Sequence, residues 1–90
     1  MIIHKVNENE TINEISAYYK VPAGIILNYN KIPKIYFGDY VQIPKPEGQI
    51  YKVKPFDTIE KISRQFNVPA EEILKKNFID KVYPFMEIII

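Results

Sequence analysis

The chain repeats itself. Displaced by 47 residues, Ile3–Ile43 lies over Ile50–Ile90 without a gap, and 17 of the 41 pairs are identical. The identical pairs are mostly apolar or turn-forming, among them Val6/Val53, Thr11/Thr58, Ile15/Ile62, Pro22/Pro69, Ile26/Ile73, Leu27/Leu74 and Asn30/Asn77. Residues of that kind hold a core and its turns, so the register predicts two tandem copies of one small unit. Repeat 1 is expected over residues 1–44 and repeat 2 over 50–90. The segment from Pro44 through Gln49, with two prolines and Gly48, reads as a short and fairly stiff linker centred on 45–49.

Within one copy, Ile2–Val6 is rich in β-branched residues and gives way to the polar run Asn7-Glu8-Asn9-Glu10, which predicts a strand and then a turn. From Thr11, the apolar residues Ile12, Ile15 and Tyr19 fall on one helical stripe. Glu10 or Thr11 can cap its first turn, and Thr11 to Glu14, like Asp57 to Glu60, fits a capping box. Val21-Pro22-Ala23 ends that helix and starts another whose stripe is Ala23, Ile26, Leu27 and Asn30. Gly38-Asp39 then makes a turn into the strand Tyr40–Ile43. The expected fold is α+β, two βααβ modules, each with a two-stranded antiparallel sheet and two helices packed on one face. Helices shorter than roughly 12 to 15 residues and a lone hairpin are each marginal, so a copy must fold as a unit.

Composition narrows the function. Ninety residues suffice for two very small domains and are too few for an enzyme with separate cofactor and substrate halves. Twelve basic against eleven acidic side chains give a net charge of +1, which offers no field for drawing the chain to nucleic acid or to an anionic membrane. The absence of cysteine removes disulfides, thiolate nucleophiles and sulfur-bound zinc, and leaves the redox compartment open. His4 is the only histidine, and its counterpart Tyr51 cannot replace an imidazole as base or ligand, so His4 reads as a satisfied strand residue. Glu71 and Glu72 are neighbours on a predicted helix and point apart, unlike the facing carboxylates of a glycosidase. No catalytic residue, metal or cofactor is expected. Nor is there a basic stretch leading into a long apolar run at the start, or the roughly 20 apolar residues of a membrane span.

Taken in order, these tracts resemble the LysM (lysin motif) family. In copy 1 the resemblance rests on His4-Lys5-Val6, Asn9-Glu10-Thr11-Ile12, Ile15-Ser16, Val21-Pro22, Leu27 with Asn30, and Gly38 to Pro44. In copy 2 it rests on Tyr51-Lys52-Val53, Phe56-Asp57-Thr58-Ile59, Ile62-Ser63, Val68-Pro69 and Asn77. The match covers nearly the whole chain, twice. The family's first turn glycine is Asn9 in copy 1 but Phe56 in copy 2, and its later glycine is Gly38 but Phe85. Phenylalanine accepts a positive φ poorly, so the resemblance favours copy 1 for ligand binding.

The resemblance implies recognition of polymers containing N-acetylglucosamine, such as peptidoglycan or chitin-type glycan, in a shallow groove between the loop after strand one and the loop after helix two. Carried over by position, the groove residues are Asn9, Glu10, Thr11 and Ile12 with Asn30, Lys31, Ile32 and Pro33. In copy 2 they are Phe56, Asp57, Thr58 and Ile59 with Asn77, Phe78, Ile79 and Asp80. The competing role for Thr11, Thr58, Glu10 and Asp57 is helix capping, for Ile12 and Ile59 the core, and for Asn30 and Asn77 the end of the second helix.

Two further features point to contacts. On a helical wheel Tyr18, Ile25 and Tyr29 fall off their core stripes and are expected outside, where copy 2 has Gln65, Glu72 and Lys76. They would form a patch for a protein partner or self-association through repeat 1. Ile89 stands where Gln42 faces outward and calls for a cover or a continuing chain. The sequence therefore supports a non-catalytic glycan-binding protein associated with a cell wall or spore. The alternative is a structural adaptor of the spore-coat or phage-tail kind, assembled in the cytoplasm or carried as a piece of a larger protein.

Overall fold

The computed structural model describes residues 1–90 and divides into two compact units, Met1–Lys45 and Pro46–Ile90. The first consists of β1 (Ile2–Lys5), α1 (Ile12–Tyr19), α2 (Ala23–Asn30) and β2 (Tyr40–Ile43). The second consists of β3 (Ile50–Lys52), α3 (Ile59–Phe66), α4 (Ala70–Asn77) and β4 (Glu87–Ile89). In each, the outer elements pair as a two-stranded antiparallel sheet, Ile2 opposite Ile43 and Ile50 opposite Ile89. The fold is thus α+β, two βααβ modules in tandem.

Local chemistry explains the boundaries. Thr11 caps α1 through a full capping box with Glu14, the Thr11 hydroxyl accepting from the Glu14 N–H at 3.1 Å while the Glu14 carboxylate accepts from the Thr11 N–H at 3.1 Å. In repeat 2 the cap is Thr58 alone, accepting from the Lys61 N–H. The box expected from Asp57 to Glu60 does not form, because the helix starts one residue later and Lys61 occupies its third position. Ser16 and Ser63 each donate to the carbonyl at the bend, Val21 and Val68, at 2.6 Å, fixing the angle between the helices of each pair.

The cores are small and almost wholly aliphatic. Repeat 1 buries Val6, Ile15, Val21, Ile25, Ile26, Val41 and Ile43. Repeat 2 buries Val53, Ile62, Ile73 and Ile88, with Tyr51, Ile59, Phe66, Val68, Ile79, Val82, Met86 and Ile90 packed around them. Ile25 is a correction to the helical-wheel reading, since it is 2% exposed. The first five residues of α2 are apolar all round, so no polar face competes for solvent, and burying an isoleucine is worth about 2 kcal/mol. The Ile25 N–H also bonds to Pro22 O at 3.0 Å, a tightened first turn that a uniform wheel misplaces. Tyr18 is exposed as expected, and Tyr29 is only half-buried.

Ile89 is buried, and its cover is the segment before β3. Gly48 has φ +137°, and a Cβ there would lie 2.0 Å from Ile90 O and 2.8 Å from Ile89 Cγ2, while the Ile90 N–H donates to Gln49 O.

An asparagine closes each module. Asn77 is 1% exposed; its amide donates to Ile73 O (2.7 Å) and Ile89 O (2.8 Å), and its carbonyl accepts from the Ile89 N–H (2.7 Å). Asn30 makes the same three bonds with Ile26 and Gln42 from a half-buried position. Asn77→Asp keeps the shape but turns a double donor into an acceptor facing two carbonyls. It should destabilise repeat 2 by about 3 kcal/mol or more, and Asn30→Asp should cost repeat 1 less, as read from urea unfolding of each variant.

Backbone strain is the second testable feature. Asn9, Lys20, Lys31 and Gly38 have positive φ in repeat 1, and Phe56, Asn67, Phe78 and Phe85 occupy the matching conformations in repeat 2. Phe56, at φ +72°, is 90% exposed, so its side chain returns little for the strain. Phe56→Asn should raise the stability of repeat 2 by about 1 kcal/mol, seen as a higher thermal midpoint; an unchanged or lower midpoint would mean the loop is not strained there.

Candidate functional site

Each helix pair is joined by a short bend and packs together. The two loops expected to bind ligand precede its first helix and follow its second. The first is tied down at its root: the Gly38 N–H donates to Val6 O at 2.9 Å and the Val6 N–H to Asp39 O at 2.8 Å. The same pair recurs as Phe85 N–H to Val53 O and Val53 N–H to Met86 O.

In repeat 1, Asn9 is exposed at φ +62° and Ile12 is the half-buried first residue of α1. Glu10 faces inward. Its carboxylate accepts from the Asn7 N–H and from His4 Nε2, each at 2.9 Å, and His4 Nδ1 lies 2.8 Å from the Tyr19 hydroxyl. With Nε2–H donated to the carboxylate, Nδ1 of a neutral imidazole accepts from the phenol. His4 is therefore a satisfied strand residue, and its partners pin the loop. The Asn7 N–H first, and then the bond from His4, hold the Glu10 carboxyl below its ordinary 4.5.

Repeat 2 reaches the same geometry by other residues. The Tyr51 hydroxyl donates to Asp57 at 2.5 Å, and the same carboxylate oxygen accepts from the Lys54 N–H at 2.9 Å. These bonds, the phenol's first, lower Asp57 below its ordinary 3.8, while the bond to Asp57 and then burial raise Tyr51 above 10.0. Phe56 protrudes, and Ile59 packs on the core.

At the second loop, Lys31 and Phe78 are the left-handed C-caps of α2 and α4, and the N–H groups of Ile32 and Ile79 return to Leu27 O and Leu74 O at 3.1 Å. Pro33 and Asp80 are exposed. The side chains of Thr11, Thr58, Glu10, Asp57, Asn30 and Asn77 are thus committed to the fold. Sequence reasoning missed the pairing of His4 with Glu10 and Tyr19, whose signal was their joint replacement by Tyr51, Asp57 and Phe66. His4, Glu10 and Tyr19, with Asn7, Glu14 and Tyr18, line a depression of about 410 Å³ beside the first loop of repeat 1.

The LysM domain family matches residues 4–44 and again 51–90, nearly all of the chain. The chain belongs to the LysM family. Among solved structures, it is similar to the spore cortex-lytic enzyme SleL of Bacillus megaterium QM B1551, with 29% identity and a TM-score of 0.51 over 98% of this chain and 22% of that one. The SleL enzyme of Bacillus cereus is also similar, at 21% identity and a TM-score of 0.44 over 99% of this chain and 22% of that one. The chain thus spans about a fifth of the length of the enzymes it matches. No curated protein matches it.

The lowered carboxyls set an acid dependence. A carboxyl with a depressed folded pKa contributes stability that is full above its unfolded value and lost as pH falls through the folded one. Repeat 1 should therefore weaken as pH drops below 4.5 and repeat 2 as it drops below 3.8, and Glu10→Gln and Asp57→Asn should flatten those respective slopes in urea unfolding followed against pH.

Proposed function

We propose that the chain is a binding module without catalytic activity that holds polymers containing N-acetylglucosamine, of the peptidoglycan or chitin kind, at a cell wall or spore surface. The observation that carries this reading is that both halves are LysM modules whose two end loops are rigidly founded: capped by Thr11 and Thr58, clamped by Asn30 and Asn77, and braced by Glu10 and Asp57. Similarity to a spore cortex-lytic enzyme supports the spore or wall setting. No helix is long and apolar enough to cross a membrane.

The chemistry suits a neutral ligand. An acetamido group presents one N–H, one C=O and a methyl, which backbone polar groups and an apolar floor can read without charge. Because so many polar side chains are spent on the fold, ligand contact falls to the loop backbones and to Ile12, Lys31, Ile32 and Pro33, with Phe56, Ile59, Phe78, Ile79 and Asp80 in repeat 2. Two modest sites on one chain gain avidity on one polymer.

Tyr18 favours a second reading, a protein adaptor. It is 78% exposed, stacks edge-on against Tyr19, and has a glutamine as its counterpart in repeat 2.

Titration with N-acetylglucosamine oligomers, followed by amide NMR shifts, separates the two. The glycan reading expects movement at Thr11 and Ile32, and at Thr58 and Ile79, with modest affinity. Silence at millimolar ligand overturns it in favour of the adaptor.

A further inference from the structure

Repeat 2 holds a cleft that its own packing does not explain. Lys52, Val53, Lys54, Pro55 and Phe85 line a space of about 320 Å³, at the lower end of the roughly 300 to 1,000 Å³ of small-molecule sites. One wall is Phe85, which holds φ +71°, a conformation that repeat 1 gives to Gly38. A bulky residue is disfavoured there, and the ring is 64% exposed, so burial in the core does not offset the strain.

The rim of the cleft is cationic. Lys52, the last residue of β3, and Lys54 stand two residues apart, both exposed on either side of the buried Val53. Neither makes an ion pair within 4.0 Å: the cross-strand partner of Lys52 is Glu87, which does not reach it, and Asp57, whose charge interacts with Lys54 at longer range, is hydrogen-bonded to the Tyr51 hydroxyl. At the positions of Lys54, Pro55 and Phe85, repeat 1 has Asn7, Glu8 and Gly38, a set with an acid and no aromatic wall.

We propose that this cleft is a subsite for a sugar unit bearing a free carboxylate, its ring against Phe85 and Pro55 and its charge between Lys52 and Lys54. The inference rests on the glycan-binding reading and adds a substrate class to it. Pro55 leads directly into Phe56, the start of the candidate groove loop, so the cleft is continuous in sequence with that loop. Repeat 1 then reads neutral acetamido sugars alone, while repeat 2 favours a polymer whose units alternate between neutral and acidic.

The test compares three tetramers on the full chain by NMR and calorimetry. One is of N-acetylglucosamine, one alternates it with N-acetylmuramic acid carrying free carboxylates, and the third is the second with those carboxylates converted to amides. The acidic tetramer is expected to bind repeat 2 about fivefold more tightly than its amide at low salt, shifting the Val53 and Phe85 amides, with the preference lost at high salt. Lys52→Gln with Lys54→Gln should abolish that preference, and Phe85→Gly should abolish the cleft shifts while sparing neutral binding. Binding of the neutral tetramer without any preference for the acid, or a preference that survives loss of both lysines, overturns the subsite alone. Failure of all three tetramers to bind overturns the glycan reading and the subsite together.

Discussion

Each module depends on an asparagine that acts as a piece of missing sheet. A two-stranded ribbon leaves one edge of each strand unpaired and is marginal by itself. Asn30 accepts from the Gln42 N–H and donates to the Gln42 carbonyl, the exchange that a residue on a third antiparallel strand would make. Its remaining amide hydrogen goes to Ile26 O, so one side chain ends a helix and extends a sheet. Asn77 does the same from a fully buried position. An unpaired amide there would cost more than each bond contributes, so the arrangement is nearly all-or-none. Because Lys31 and Phe78 follow immediately, the clamp also fixes where the loop after the second helix leaves the core.

That dependence explains what the sequence disclosed. The register of 47 residues, the helical stripes and the Val-Pro bends are local signals, and they placed every helix and strand. Asn30 and Asn77 were readable as helix ends because asparagine suits that position, but their bonds to a strand 12 residues away are not local and left no spacing to detect. Ile25 misled for a related reason. A wheel ranks faces by contrast, and the opening of α2 has none.

Backbone conformation was the least legible part. Besides Gly48, four residues in each module take positive φ, and they do so at matching places whatever the side chain: Asn9 and Phe56, Lys20 and Asn67, Lys31 and Phe78, Gly38 and Phe85. Two of the four are helix ends and two are loop turns, so chain path sets them rather than glycine content. Phenylalanine accepts such a conformation poorly, yet it stands at two of these turns in repeat 2. The structure keeps the path and accepts the strain, and the cost is then carried by residues whose rings point into solvent.

The braces beneath the first loops show how the modules diverge without losing that path. His4, Glu10 and Tyr19 become Tyr51, Asp57 and Phe66, and the three differ together. The phenol of Tyr51 extends farther than an imidazole and meets a carboxylate one methylene shorter. Its ring then needs no second partner, so Phe66 can lose the hydroxyl that Tyr19 offers His4. The edge-on ring contact survives, at 5.4 Å in one module and 5.2 Å in the other. With the loop roots held alike, the modules differ in the loop residues themselves: Asn7 and Glu8 in one, Lys54 and Pro55 in the other.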